Sequence, residues 1–254
     1  LQYYIEYLKA DSSTISEEDI DHNKIHVFPN KSIEKLLFPF VKAEVHFHKN
    51  MSNSDILRAR GFGNRLGFKK GITLILGAGN VSSIPLLDTI FDMVVNRHCV
   101  LLKLNPVNEY LKPVFEQVFE NFINKGFMIV TTGNVDVSSY MTQHQGVTNM
   151  HLTGSDITYE NIVYGSTLAE KDKGKKTLPK VNKKPFTTEL GNVTPFIIHP
   201  GTWSSSEIKY QARKIVTAKL NNNGFNCIAA QVVVLPKGWK HTNTLVSAIK
   251  NQLS

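Results

Sequence analysis

A chain of 254 residues with 41% hydrophobic and 20% charged residues has the composition of a folded globular protein, which excludes a disordered or fibrous one. Its apolar runs, such as ITLILGAG from Ile72 and FMIVTT from Phe127, are too short to cross a bilayer, so no membrane association is expected. The net charge of +8 raises nucleic acid or an acidic ligand as a partner. Much of that charge is local, however: EKDKGKKTLPKVNKK, residues 170–184, holds seven lysines and reads as a solvated loop, and nucleic-acid binding is not expected.

The chain starts at Leu1 in what already reads as the middle of an element, so a fragment or a processed chain is expected, and a targeting segment ahead of it is compatible with the rest. The first seventy residues are mixed and polar. SIEKLLFPFVK has helical spacing, broken at Pro39, and AEVHFHK alternates as a half-exposed strand. His46 and His48 share a face of that strand, but no Cys, Asp or Glu cluster completes a ligand set, and no metal is expected.

From Gly71 the pattern is regular. GITLILGAG reads as a strand, IPLLDTIFDMVVNR as a helix, CVLLKLNP as a strand and EYLKPVFEQVFENFINKG as a longer helix. FMIVTTG, a short helix near VSSYMTQH, and the strand VTNMHLTGS follow. Strands alternating with helices across short turns predict an α/β fold, a doubly wound Rossmann-like parallel sheet that binds ligands at the carboxyl ends of its strands. Beyond the lysine-rich stretch, PFTTELGNVTPFIIHPG offers two extended pieces, SSEIKYQARKIVTAKL a helix, QVVVLP a strand and HTNTLVSAIKNQLS a last helix. The division expected is an N-terminal region plus dinucleotide-binding domain over residues 1–188, and the beginning of a second α/β catalytic domain over 189–254.

Three clusters fall at predicted strand ends and would line one crevice: GAGN (77–80), KLNP (103–106) and TGS (153–155). GAGN is short of a full GxGxxG fingerprint and by itself implies only a tight turn. Lys103 could hold a ribose hydroxyl or a phosphate, or be a plain surface lysine; TGS could offer N–H groups to an anion, or simply cap a helix. A second group is Glu189, in TTELGNVTP, with Cys227, in NNNGFNCIAA. A thiolate attacks carbonyl carbon, and a carboxylate can then activate water against the thioester. Asn80 could donate to the oxyanion beside the Cys227 amide. A free cysteine is also, by default, a small buried hydrophobe. Two cysteines, Cys99 and Cys227, form no CxxC pair and fit a reducing, cytoplasmic setting.

Together these segments resemble the aldehyde dehydrogenase superfamily. TELGNVTP is similar to its ELGGKxP signature, NNNGFNCIAA to its NxGQxC(x)A segment, LGAGNVSSIPLLDTIF with VLLKLNP to its PWNFPL entry and following LKP, and HLTGSDIT to FTGSTEVG. The resemblance implies NAD or NADP as cofactor, an aldehyde substrate and a homo-oligomer in the full-length form. It implies Cys227 as nucleophile, Glu189 as general base and Asn80 as oxyanion donor, with Ala78, Lys103, Gly154, Ser155 and Leu190 as cofactor-binding positions. Where this chain departs from the pattern, the resemblance implies changes. Tyr159 replaces a glycine near the cofactor, and Pro106 stands where an acidic residue would repel a 2′-phosphate, which admits NADP. Asn192 replaces a glycine, as Asn can at positive φ, and Gly79 replaces an aromatic, which would open the site. The family's later cofactor carboxylate and oligomerisation strand have no counterpart here, so these 254 residues alone are expected to be inactive. Glu189 favours hydrolysis to an acid; a CoA-acylating relative and a non-catalytic cofactor-binding relative are the alternatives.

Overall fold

The computed structural model describes residues 20–21, 23–59, 70–166 and 179–253. The chain divides into two compact units, Leu1–Gly67 and Phe68–Ser254. Among the described residues no helix is long and apolar enough to cross a membrane.

The first unit is a small antiparallel sheet, β1 (Ile20–Asp21), β2 (Lys24–Phe28) and β3 (Ala43–His46), in sequential order. Helices α1 (Ser32–Leu37) and α2 (Asn53–Ala59) accompany it. The alternating stretch around His46 forms β3 as expected, and α1 ends before Pro39 as a proline demands. The first two strands and α2 carry no clear period and escape the sequence reading. Their core is three isoleucines, Ile20, Ile25 and Ile56, with Phe47 and Met51 against them.

The second unit holds a five-stranded, wholly parallel sheet in the order β6-β5-β4-β7-β8. Its strands are β4 (Ile72–Leu76), β5 (Cys99–Lys103), β6 (Met128–Thr131), β7 (Asn149–Gly154) and β8 (Phe186–Leu190). The chain runs outward from β4 through β5 to β6, then crosses to β7 and β8 on the other side of β4. The order reverses between β4 and β7, the kind of switch point at which open parallel sheets generally place a ligand crevice.

Both sheet faces are buried, as a parallel sheet requires. On one face Ile75, Val100, Leu102 and Val130 pack under α3 (Ile84–Phe91) and α4 (Lys112–Val118). On the other, Leu74, Leu76, Met150 and Leu152 pack under α6 (Val135–Gln143) and α7 (Asp156–Tyr164). The single long helix expected over 109–126 is divided into a 3-10 turn (Pro106–Leu111), α4 and α5 (Glu120–Asn124). Pro113 sits in the first turn of α4, where its missing N–H costs nothing, so the α-helix restarts there.

Beyond the sheet, β9 (Pro195–Ile197) and β10 (Val232–Val234) pair in parallel. They pack against α8 (Ser205–Leu220) and α9 (Thr242–Leu253) through Ile208, Ala212, Ile215, Trp239 and Leu245. Ser204 and Glu207 form a reciprocal capping box at the start of α8. Much of the lysine-rich stretch lies outside the described residues. Its last member is not simply solvated: the Lys184 amine donates to the Thr142 and His144 carbonyls at 2.8 and 2.7 Å, closing the carboxyl end of α6.

Leu102 is fully buried in the centre of the sheet, whereas Ile129 on edge strand β6 is 61% exposed. Leu102→Ala should therefore lower unfolding free energy by about 2–5 kcal/mol in a urea titration, and Ile129→Ala by under about 0.5 kcal/mol. Equal losses at the two sites would contradict the packing described.

Candidate active site

The loops at the carboxyl ends of β4, β5 and β6 are tied together by one short segment after β5, NPVNE (105–109). Asn105 caps the 3-10 turn, its side chain accepting from Val107 N at 3.2 Å. Asn108, 6% exposed, donates to the Ala78 carbonyl at 3.0 Å and to the Gly79 carbonyl at 3.4 Å. Glu109 accepts from the Gly133 N–H at 3.0 Å. One turn after β5 thus pins the loop after β4 on one side and the loop after β6 on the other.

Lys103 closes β5 and is only 5% exposed, so it is no plain surface lysine. Its amine has no hydrogen bond among the described residues. Burial pushes it below the usual lysine range, and the negative field of Glu109 opposes that shift. Pro106 indeed bears no carboxylate, but three residues on Glu109 brings one towards the same amine. Its sequence signal is the acid in the first turn after Asn105.

Gly79 does not leave the site more open. A Cβ there would lie 2.7 Å from the Asn105 side chain, so the carboxamide of Asn105 already takes that space. Ala78 is buried, and its carbonyl is the one held by Asn108. Gly154 ends β7 opposite Leu190. Ser155 caps α7, accepting from Thr158 N at 3.1 Å, and Leu190 packs into the core beneath. The Tyr159 ring packs on Phe186, with centroids 5.3 Å apart, within that same core. A polar network missed by the sequence reading ties β7 to α3: the Thr153 hydroxyl donates to Asp88 at 3.0 Å, and His151 Nε2 lies 3.4 Å from the same carboxylate oxygen.

Cys227 is exposed. It sits in a turn ahead of the buried pair Ala229 and Ala230, so the small residues that follow it are packing and the thiol is not. The preceding residues form a left-handed run: Asn222 and Asn223 each have φ 52° and Gly224 has φ 80°. Asparagine and glycine tolerate this region better than other residues.

Asn80 joins this turn to the crevice. Its side-chain amide donates to the Phe225 carbonyl at 2.8 Å, and Asn222 donates back to the Asn80 carbonyl at 2.9 Å. Glu189 is not drawn into the same contact. It lies on β8 opposite Thr153, exposed, with no hydrogen bond to Asn80 or Cys227 among the described residues. Asn192 is not in the positive-φ region among the described residues; instead it accepts from Thr194 N at 2.7 Å, and Thr194 carries the positive φ, at 34°. Among the described residues no group of three or more His, Cys, Asp or Glu could hold a metal ion.

A family model described as "Aldehyde dehydrogenase family" matches residues 72–253. The D-glyceraldehyde dehydrogenase (NADP(+)) of Picrophilus torridus is 29% identical over 110 residues, which are 43% of this chain and 19% of that protein. Among solved structures, a Mycobacterium tuberculosis aldehyde dehydrogenase complexed with NAD+ aligns with a TM-score of 0.56 at 19% identity, over 71% of this chain and 34% of its own. The NADP-dependent glyceraldehyde-3-phosphate dehydrogenase of Bacillus halodurans, complexed with NADP, aligns with a TM-score of 0.51 at 21% identity, over 72% and 34%. The chain spans about a third of the length of these structures, and at such identities the likeness concerns the fold.

Lys103 gives a test with a defined sign. Its folded pKa is depressed, so the unfolded chain holds the proton more tightly and the charge costs stability. That cost is fully present below the depressed folded value and disappears between it and the ordinary lysine range. Lys103→Met should raise Tm at neutral pH and flatten its rise towards alkaline pH, measured by calorimetry. An unchanged Tm profile would contradict the buried charge.

Proposed function

The chain belongs to the aldehyde dehydrogenase family, and from that premise we propose that the protein is an NAD(P)-dependent oxidoreductase that converts an aldehyde to a carboxylic acid through a thioester on Cys227. The observation that carries this reading is the exposed Cys227 on a turn tied by two hydrogen bonds to Asn80 at the end of the crevice.

The residues at the crevice suit a dinucleotide. Lys103, a mostly buried residue at the end of β5, offers its amine to a ribose hydroxyl, and the loops after β4 and β7 present backbone to the phosphates through Ala78, Gly154 and Ser155, with Leu190 beside them. A bound nicotinamide supplies the acceptor for the hydride that leaves the substrate carbon.

In this proposal the Cys227 thiolate adds to the aldehyde carbon and the carbonyl oxygen becomes an oxyanion. One N–H of the Asn80 amide is engaged by Phe225, and the other donates to that oxygen alongside the Cys227 backbone N–H. Loss of hydride leaves a thioester on Cys227. Glu189 then takes a proton from water, which attacks the thioester carbon, and the thiolate leaves as the acid is released. Residues 1–188 form the N-terminal region and dinucleotide domain in this reading, and 189–254 belong to the catalytic domain. Homo-oligomerisation and a reducing compartment are part of the same proposal; both cysteines are free.

A second reading transfers the acyl group to a thiol such as coenzyme A. It is favoured by the exposed position of Glu189 on an edge strand, since a thiol acceptor needs no general base. Incubating the intact protein with an aldehyde panel and NAD or NADP, with and without coenzyme A, should give reduced nicotinamide and free acid. Cys227→Ser should lower kcat by about a thousandfold or more, and Asn80→Ala by about a hundredfold. Turnover retained in Cys227→Ser would refute the mechanism, and acyl-CoA as sole product would favour the second reading.

A further inference from the structure

The loop after β4 is held in an unusual way. Its three successive carbonyls, Ala78, Gly79 and Asn80, all accept from asparagine side chains: the first two from Asn108 and the third from Asn222. Asn108 is buried and belongs to the turn after β5, so its hold is part of the sheet. Asn222 comes from the far side, from the turn that carries Cys227, and it is exposed. A surface asparagine with φ 52° and ψ 44° sits where glycine would be the default residue, so its conformation alone does not explain a side chain. The side chain is explained by what it reaches, the Asn80 carbonyl at 2.9 Å.

We infer that Asn222 is a positioning residue for Asn80. The inference rests on the reading of Asn80 as oxyanion donor. The Asn222 hydrogen bond fixes the Asn80 main chain, and the return bond from the Asn80 amide to Phe225 fixes the side chain. The amide then has one rotamer and one remaining N–H, and both are referred to the turn two residues before the nucleophile. Without Asn222, Asn108 still holds the Ala78 and Gly79 carbonyls, but Asn80 itself keeps only its side-chain bond to Phe225, and the N–H meant for the oxyanion is free to shift with it. The glycine next to it reinforces the point: Gly79 has no room for a Cβ beside Asn105, so the loop cannot be stiffened from within by a side chain at 79 and is stiffened from outside by asparagines.

The chemistry predicts a particular pattern. Asn222→Gly keeps the left-handed backbone and deletes only the amide; Asn222→Asp keeps the shape and turns a donor into an acceptor facing the Asn80 carbonyl. In the intact protein both should leave aldehyde KM within about threefold and lower kcat about tenfold or more, a split that marks loss of an interaction made in the transition state. Because Asn222 acts through Asn80, the double variant Asn80→Ala with Asn222→Gly should be no slower than Asn80→Ala alone. Hydrogen–deuterium exchange, read without substrate, should quicken in residues 78–82 and 221–227 together for Asn222→Gly, with Tm little changed. Multiplicative effects in the double variant, unchanged kcat in both single variants, or quickened exchange in only one of the two segments would overturn the inference. If Cys227→Ser is inactive while Asn80→Ala keeps full kcat, the oxyanion role of Asn80 falls and this inference with it, whereas the nucleophile stands.

Discussion

Two hydrogen bonds between Asn80 and the turn at Asn222–Phe225 join parts of the chain that would otherwise have separate duties. One part is the loop at the switch point of the parallel sheet, after β4. The other is the turn that displays a thiol. Without that connection Cys227 is only an exposed cysteine on a turn; with it, the thiol and an amide at the end of the sheet share one frame. Hydrogen bonds of this kind are individually worth about 0.5–1.5 kcal/mol net, so the joint is a matter of geometry more than of stability.

Everything upstream serves to hold the Asn80 end of that joint still. The inner parallel strands β4 and β5 are largely buried in the sheet, which sets the height of the loops that follow them. NPVNE then ties those loops to one another through Asn108 and Glu109. Burying Lys103 next to this turn is an unfavourable choice for folding alone. Lys103 is mostly buried and its amine has no hydrogen bond among the described residues, which sets it apart from the more exposed lysines of the chain.

The parallel sheet is legible from Gly71 onward because short apolar runs such as ITLIL and CVLLK alternate with segments of helical spacing. The first unit was less legible: β1 and β2 are charged, partly exposed strands whose only core residues are single isoleucines. Of the candidate site, the positions of Cys227 and Asn80 could be anticipated from the motifs, but the Asn222 and Asn108 bonds could not. They link residues 142 and 30 positions apart, and an asparagine in a turn reads as turn chemistry whatever else it does. Gly79 and Asn192 were misread for a related reason. A glycine at 79 suggests open space and an asparagine at 192 suggests positive φ, whereas the space is filled by Asn105 and Asn192 accepts locally from Thr194 N.

The central claim is that Cys227 is a nucleophile served by a carboxylate that clears its acyl group. The direct measurement is peptide mass spectrometry of the intact protein after brief reaction with p-nitrophenyl acetate, an acyl donor that needs no cofactor, compared with its Glu189→Gln variant. The expected result is acetyl on Cys227 that persists in Glu189→Gln and is lost from the unsubstituted protein. Acetylation confined to Cys99 and lysines, or an acetyl-Cys227 that decays at the same rate in both proteins, would contradict it.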